Sequence, residues 1–223
     1  MRALMMAATF TLLSAAPLLA QAEPRGYVTA SGGFTSTTDT TSGDLLFEGG
    51  VRIATHLMVF GDIGQFHNLQ PSDVQPAVDS TTGLLSTSQG LNVTGTPRAP
   101  AVYSVGGLRY DIPMQWRVAP YVLGGLGFAR LSPTAQFTFN SGTGTLPDGT
   151  IPVPGADVTS QLVTAGDFTP PAASNAFMFT LGGGVEIPVV SHWAVDVGYR
   201  YSRISAETPL NAQGATFGFG YRF

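Results

Sequence analysis

An apolar–polar period of two, a regular alternation of long and short connections, and a charged fraction of only 11% together predict an all-β fold. The form they predict is an eight-stranded antiparallel up-and-down barrel that crosses a membrane with its strands, turns short at one end and long at the other. The charged fraction is under half the roughly 25% of an ordinary soluble domain, which argues against a surface wetted on all sides. Hydrophobic residues make up 43% of the 223, and the formal net charge is only −4, so disorder is not expected. All ten cations are arginine, they form no cluster, and the pI is about 5.2, so no nucleic-acid partner is expected. There is no Cys, which excludes a disulfide framework and a thiolate metal site.

Residues 1–22 read as an address. Arg2 precedes an apolar stretch over 3–19, and Ala20-Gln21-Ala22 supplies a small-x-small cleavage signal. About 17 apolar residues, interrupted by Thr9, Thr11, Ser14 and Pro17, are too few for an uncleaved membrane helix. Cleavage near Ala22 would leave 23–223 as one barrel domain. No later stretch holds 18 consecutive apolar residues.

The strands follow in order. The first, 25–34, has no face that can be read from the residues. In the second, Leu45, Phe47, Val51 and Ile53 share a face opposite Glu48 and Arg52. The third, 57–66, is again ambiguous. In the fourth, Leu108 and Tyr110 oppose Arg109, with Asp111 beyond it. The fifth, 117–130, contains Pro120, which requires a bulge or a strand end there. In the sixth, Phe177, Phe179, Leu181, Val185 and Ile187 oppose Thr180 and Glu186. In the seventh, Val195, Val197, Tyr199 and Tyr201 oppose Asp196 and Arg200. The eighth is the clearest: Phe217, Phe219, Tyr221 and Phe223 alternate with Gly218, Gly220 and Arg222.

The connections read long (35–44), short (55–56), long (67–101), short (112–116), long (131–176), short (188–192) and long (204–212), with Pro113 and Pro188 as turn residues. Two loops of such length are foreign to a compact soluble domain and ordinary in a transmembrane barrel. Of the 28 glycines, 19 fall in the proposed strands, where a narrow interior needs room. Trp116, Trp193 and Phe223 near the short turns, and Phe34, Tyr103 and Tyr201 near the loops, are expected as interfacial girdles. Eight strands enclose a space that side chains just fill. Glu48, Arg52, Arg109, Glu186, Asp196, Arg200 and Arg222 would point into it, with Asp62 a further candidate. Both signs are present, so a paired network plugging the lumen is expected, since unpaired buried charges are costly.

No enzyme is expected. The histidines are His56, His67 and His192, and the positions two beyond them are Met58, Leu69 and Ala194, so no His-x-Ser pair occurs. No cofactor and no metal site are expected; Asp148, Asp157 and Asp167 lack calcium-loop spacing. Asp148-Gly149 reads as a hairpin turn between the alternation of 135–139 and 151–153. The long loops are mildly acidic, carrying Asp39, Asp44, Asp73, Asp79, Asp148, Asp157, Asp167 and Glu207 against Arg98, Arg130 and Arg203. Arg130 and Arg203 are placed to meet anionic phosphates near the rim.

The segments 27–34 and 120–129, together with Gly218-Phe219-Gly220-Tyr221-Arg222-Phe223, resemble the outer-membrane protein β-barrel superfamily, which includes the OmpA transmembrane domain and the OmpX/Ail proteins. The resemblance covers essentially 25–223 and rests on features generic to small barrels. It implies an outer-membrane location in a Gram-negative envelope, a monomer, and outer-membrane lipid and lipopolysaccharide as surroundings. The C-terminal ending is similar to the signal read by the barrel assembly machinery, which implies that role for Phe219, Tyr221 and Phe223. Unlike OmpA, the chain is expected to carry no periplasmic domain after the barrel. The expected function is a structural or surface-interaction scaffold with a plugged lumen. The alternative is a narrow porin or an OmpW-like conduit for small or hydrophobic solutes.

Overall fold

The computed structural model describes residues 25–38, 40–69, 74–114, 118–146 and 149–223. The expected leader at 1–22, and Asp39, Asp73, Trp116 and Asp148, lie outside them. Eight strands close into an antiparallel barrel. They are β1 (Gly26–Ser36), β2 (Thr41–Ala54), β3 (Leu57–Phe66), β5 (Ala101–Asp111), β6 (Ala119–Leu131), β8 (Ser174–Val190), β9 (Trp193–Ser205) and β10 (Leu210–Arg222). Each pairs with its sequence neighbour among these eight, and β1 closes on β10 with Tyr27 opposite Arg222. Closure removes every sheet edge, which is what a strand-built membrane span requires.

Burial is inverted relative to a water-soluble sheet. Leu45, Phe47, Val51 and Ile53 are all more than half exposed on β2, while Glu48 on the opposite face is buried. Leu108 and Tyr110 likewise face outward around a buried Arg109. The three unassigned strands resolve in the same sense. Tyr27, Met58, Phe60, Tyr121 and Leu123 point inward, and Val28, Val59, Ile63, Val122 and Leu126 point outward. Pro120 is the second residue of β6, so its missing donor falls at a strand end.

Several connections differ from expectation. The first and last long loops shrink to 37–40 and 206–209, because β1, β2, β9 and β10 continue beyond the apolar band. The outward face there carries polar residues such as Thr41, Arg203 and Asn211, so pairing persists without the apolar alternation that reveals it, while inward Thr35, Asp44 and Ile204 stay buried. Asp44 is consequently a buried β2 residue accepting a hydrogen bond from Thr35 Oγ1 at 3.0 Å, not a loop acid. Pro188 is not a turn residue: β8 runs on to Val190, with a register shift between Pro188 and Val190.

The two remaining long connections carry regular elements. The first contains α1 (Val74–Ser88) and β4 (Leu91–Arg98). The second contains β7 (Thr134–Gly142) and α2 (Thr159–Ala165). β4 pairs antiparallel with β7, joining two loops that are separated in sequence by the β5–β6 hairpin. Val74, Val78, Thr81 and Leu85 form the buried stripe of α1. With Leu91, Phe137, Phe139, Leu162 and Phe168 they build a second hydrophobic core apart from the barrel. The expected hairpin from 135–139 to 151–153 is not formed. The chain does turn at Gly149 (φ 82°), but it returns to β7 through 155–158, where Phe139 N–H donates to Ala156 O at 2.9 Å and Val158 N–H to Phe137 O at 2.9 Å. Ile151 and Val153 stay exposed. We call this unit the cap.

Candidate functional site

The lumen has two layers. Its half nearest the termini holds a network to which each barrel strand contributes a side chain. At the centre, Arg109 of β5 donates to Glu186 Oε2 at 2.7 Å and to Asp111 Oδ1 at 3.0 Å, and its Nη1 lies 3.7 Å from Glu48 Oε1. Its guanidinium is sandwiched between the rings of Tyr27 and Tyr121, 4.5 and 3.8 Å from their centroids. A desolvated cation held this way gains about 2 kcal/mol from an aromatic face. Arg200 of β9 donates to Asp62 Oδ2 at 2.7 Å and to Glu48, and Arg222 of β10 donates to Glu186. Tyr27 donates to Glu48, and Tyr121 to Asp196 Oδ1 at 2.9 Å. The chain Asp62–Arg200–Glu48–Arg109–Glu186–Arg222 is therefore continuous across the barrel, with Tyr27 and Tyr121 supplying β1 and β6.

Of the residues singled out in the sequence, Glu48, Arg109, Glu186, Arg200 and Arg222 meet directly, and Asp62 joins them. Asp196 is inward but is held by a tyrosine hydroxyl. Arg52 lines a small cavity of about 20 Å³ at the terminus end, together with Tyr27, Arg109, Asp111, Glu186 and Arg222. Tyr27 and Tyr121 are functional members that sequence reasoning missed, because the faces of their strands could not be read. Glycine makes room for the lumen rings. A Cβ at Gly50 would stand 2.4 Å from Tyr27 Cε1, and one at Gly184 2.7 Å from the Tyr121 hydroxyl. Each of these glycines is the cross-strand partner of its tyrosine.

The loop-end half of the lumen is mainly apolar, closed by Phe66, Leu69, Tyr103, Leu131, Met178 and Ile204, with the buried pairs Thr35–Asp44 and Thr180–Ser202 beside them. Tyr103 is 5% exposed and stacks on Phe66 with ring centroids 4.7 Å apart. It is therefore a lumen residue and not part of the expected outer girdle, since odd-numbered β5 residues face inward. Phe34 and Tyr201 do face outward near the loops. At the other end Trp193 stacks on Phe219 at 4.9 Å and meets Tyr221 edge-on at 5.1 Å, all three with Phe223 on the outward face.

His56 occupies the β2–β3 turn with φ 63°, His67 lies exposed just after β3, and His192 Nδ1 sits 3.2 Å from Ser191 Oγ in an exposed turn. None of the three lies beside the lumen network. Among the described residues no group of three acids or histidines could hold a metal ion.

The sequence pattern of the outer membrane protein beta-barrel domain matches residues 5–223. No curated protein matches the chain. Among solved structures, neisserial surface protein A is similar with TM-score 0.52 and 16% identity, over 89% of this chain and 97% of that one. The N-terminal barrel of Pseudomonas aeruginosa OprF gives 0.47 and 9% identity, over 90% and 98%. Ail of Yersinia pestis gives 0.44 and 14%, over 89% and 97%. The inverted barrel, its closure and the match over nearly the whole sequence lead to one assignment: the chain belongs to the outer membrane protein beta-barrel domain family and is an integral protein of the outer membrane.

Proposed function

We propose that this barrel is a closed scaffold, a monomer that presents a folded cap outside the cell and passes no solute through its lumen. The observation that carries this reading is Arg109, which is 2% exposed and held by three carboxylates and two aromatic rings in the middle of the bore. An eight-stranded interior is only wide enough for side chains. The apolar layer above the network adds a second barrier of different chemistry. Outer-membrane lipid and lipopolysaccharide surround the outward face in this reading. The assembly machinery takes up the C-terminal strand through Phe219, Tyr221 and Phe223, a role favoured by their outward position on β10 and after it. The leader is removed near Ala22 before assembly. Catalysis has no part in this reading, because the histidines stand apart from any buried nucleophile.

Single-channel recording of the purified chain in a planar bilayer tests the closed lumen. Correctly folded protein is expected to leave the bilayer silent. Reproducible small openings would instead favour a narrow conduit for small or hydrophobic solutes.

A further inference from the structure

Water surrounds the cap, yet Leu84, Ile151, Val153 and Val163 stay exposed on it. Two of these stand together, Ile151 at 73% and Val153 at 69% exposure, on either side of a buried Pro152. We propose that Ile151 and Val153 form an insertion tip that docks the cap on a neutral phospholipid bilayer facing the cell. Such docking requires, as the scaffold reading does, that the cap stand outside the cell, and it is indifferent to whether the lumen conducts. The position of the tip suits this use. β7 begins just after β6 leaves the barrel and β4 ends just before β5 enters it, so the paired residues Leu91 and Gly142 mark the far end of the cap. Gly155 N–H donates to Phe139 O at 2.8 Å, which places this segment about 17 Å along β7 from Thr134. The elements α1, α2, β4 and β7 pack on one another and make no extensive contact with the barrel strands. Leu84 is exposed one turn before α1 ends, at the same far end.

The backbone of the tip suits a medium without hydrogen-bond partners. Pro152 and Pro154 have no N–H to desolvate. Ala156 N–H donates to Val153 O at 2.9 Å, and Leu146 N–H to Thr150 O at 2.8 Å, so both flanking carbonyls are already satisfied. Two aliphatic side chains can therefore enter lipid at little polar cost. A protein partner fits less well. A specific interface buries about 800 Å² on each side, of which two such side chains supply a fraction. No aromatic or charged residue lies within 149–156 to anchor one. Insertion into lipid has no such minimum, and many copies on one cell act together. Charge selects the bilayer. Among the described residues the cap carries Asp79, Asp157 and Asp167 against Arg98, which sits at the barrel end of β4. An anionic surface, including the lipopolysaccharide of a neighbouring cell, is repelled, whereas a zwitterionic one is not.

The test embeds the protein purified from membranes in lipid nanodiscs, fixes these densely on a sensor surface, and passes vesicles of phosphatidylcholine over them. The wild type should capture vesicles, and empty nanodiscs should not. Changing Ile151→Ser and Val153→Ser together should weaken capture at least about tenfold, while Ile151→Leu keeps it. Both side chains are exposed, so cap amide protection and the shift between boiled and unboiled protein on a gel should stay unchanged. Vesicles of phosphatidylglycerol should be captured more weakly than neutral ones. No capture by the wild type, equal capture by the double variant, or a preference for the anionic vesicles would overturn the proposal. So would clustering of free nanodiscs that is lost in the double variant, which would give the tip to a second copy. The location of the cap is checked separately. The chain has no Cys, so Ser160→Cys on intact cells reports whether a membrane-impermeant maleimide reaches the cap from outside. Labelling is expected. Labelling without vesicle capture would overturn the tip alone and leave the scaffold reading, whereas unlabelled cells would overturn both the outside cap and its docking.

Discussion

The barrel and the cap are two cores built by opposite rules on one chain. In the barrel, large apolar side chains such as Phe47, Leu126 and Phe217 face outward, and the interior near the termini is organised by Arg109 and its carboxylates. In the cap, Phe137 and Leu162 are fully buried, and Ser80, Ser86, Thr87 and Ser88 of α1 lie on its outer side. The medium explains the difference. Lipid offers the barrel wall no hydrogen bonds, so polar groups gather inside, where they satisfy one another. Water surrounds the cap, so the hydrophobic effect restores the ordinary order. A fold of this kind needs two separate sources of stability, and damage to one should leave the other standing.

The largest expected effect is on the barrel side. Arg109→Ala removes the cation shared by Glu48, Asp111 and Glu186 and leaves buried carboxylates short of partners. The expected cost is about 3–5 kcal/mol, read as a lower urea midpoint of the refolded barrel. Phe137→Ala should be similar in size, about 3–4 kcal/mol, but confined to the cap. Its check is amide exchange: α1 and β4 should lose protection while the barrel strands keep theirs. Thr159→Val should do less. Thr159 Oγ1 accepts the Phe137 N–H at 2.8 Å, and losing that acceptor should cost the cap about 1 kcal/mol.

The smallest effect concerns Asp157. Hydrogen bonds from the Thr159 hydroxyl and amide, the latter 2.9 Å from Asp157 Oδ1, hold this carboxyl below its ordinary value of 3.8. A folded-state value below the unfolded one gives a contribution that is present above 3.8 and lost as pH falls through the lower folded value. Cap protection should therefore be flat from neutral pH to about 5 and decline only in stronger acid. Asp157→Asn should abolish that acid-side decline, measured by the same exchange experiment. Because the group is almost fully exposed, the slope should be shallow.

The two regions also differ in how far they can be read from the residues. Charges that interrupt an apolar alternation, as Glu48 and Arg109 do, mark inward positions directly. Tyr27 and Tyr121 escape such reading because Tyr110 and Tyr199, of the same type, point outward. Pairings escape it as well: Arg200 and Glu48 meet across 152 positions, a distance set by closure and not by any local pattern. The cap is hidden for another reason. Its strands are short, its helix α1 is rich in Ser and Thr and carries Gly83, and β4 finds β7 only after the β5–β6 hairpin has brought them together. Local propensity is weak in each piece, and burial in the shared core decides the outcome.

Hydrogen exchange of the membrane-embedded chain along a urea series tests the two-core account most directly. Amides of α1, β4, β7 and α2 should be protected in the absence of urea and lose that protection together, in one transition, while β1, β5 and β9 remain closed. Immediate exchange of 74–98, as in an unstructured loop, would contradict the account, and so would a single transition in which cap and barrel open at the same urea concentration.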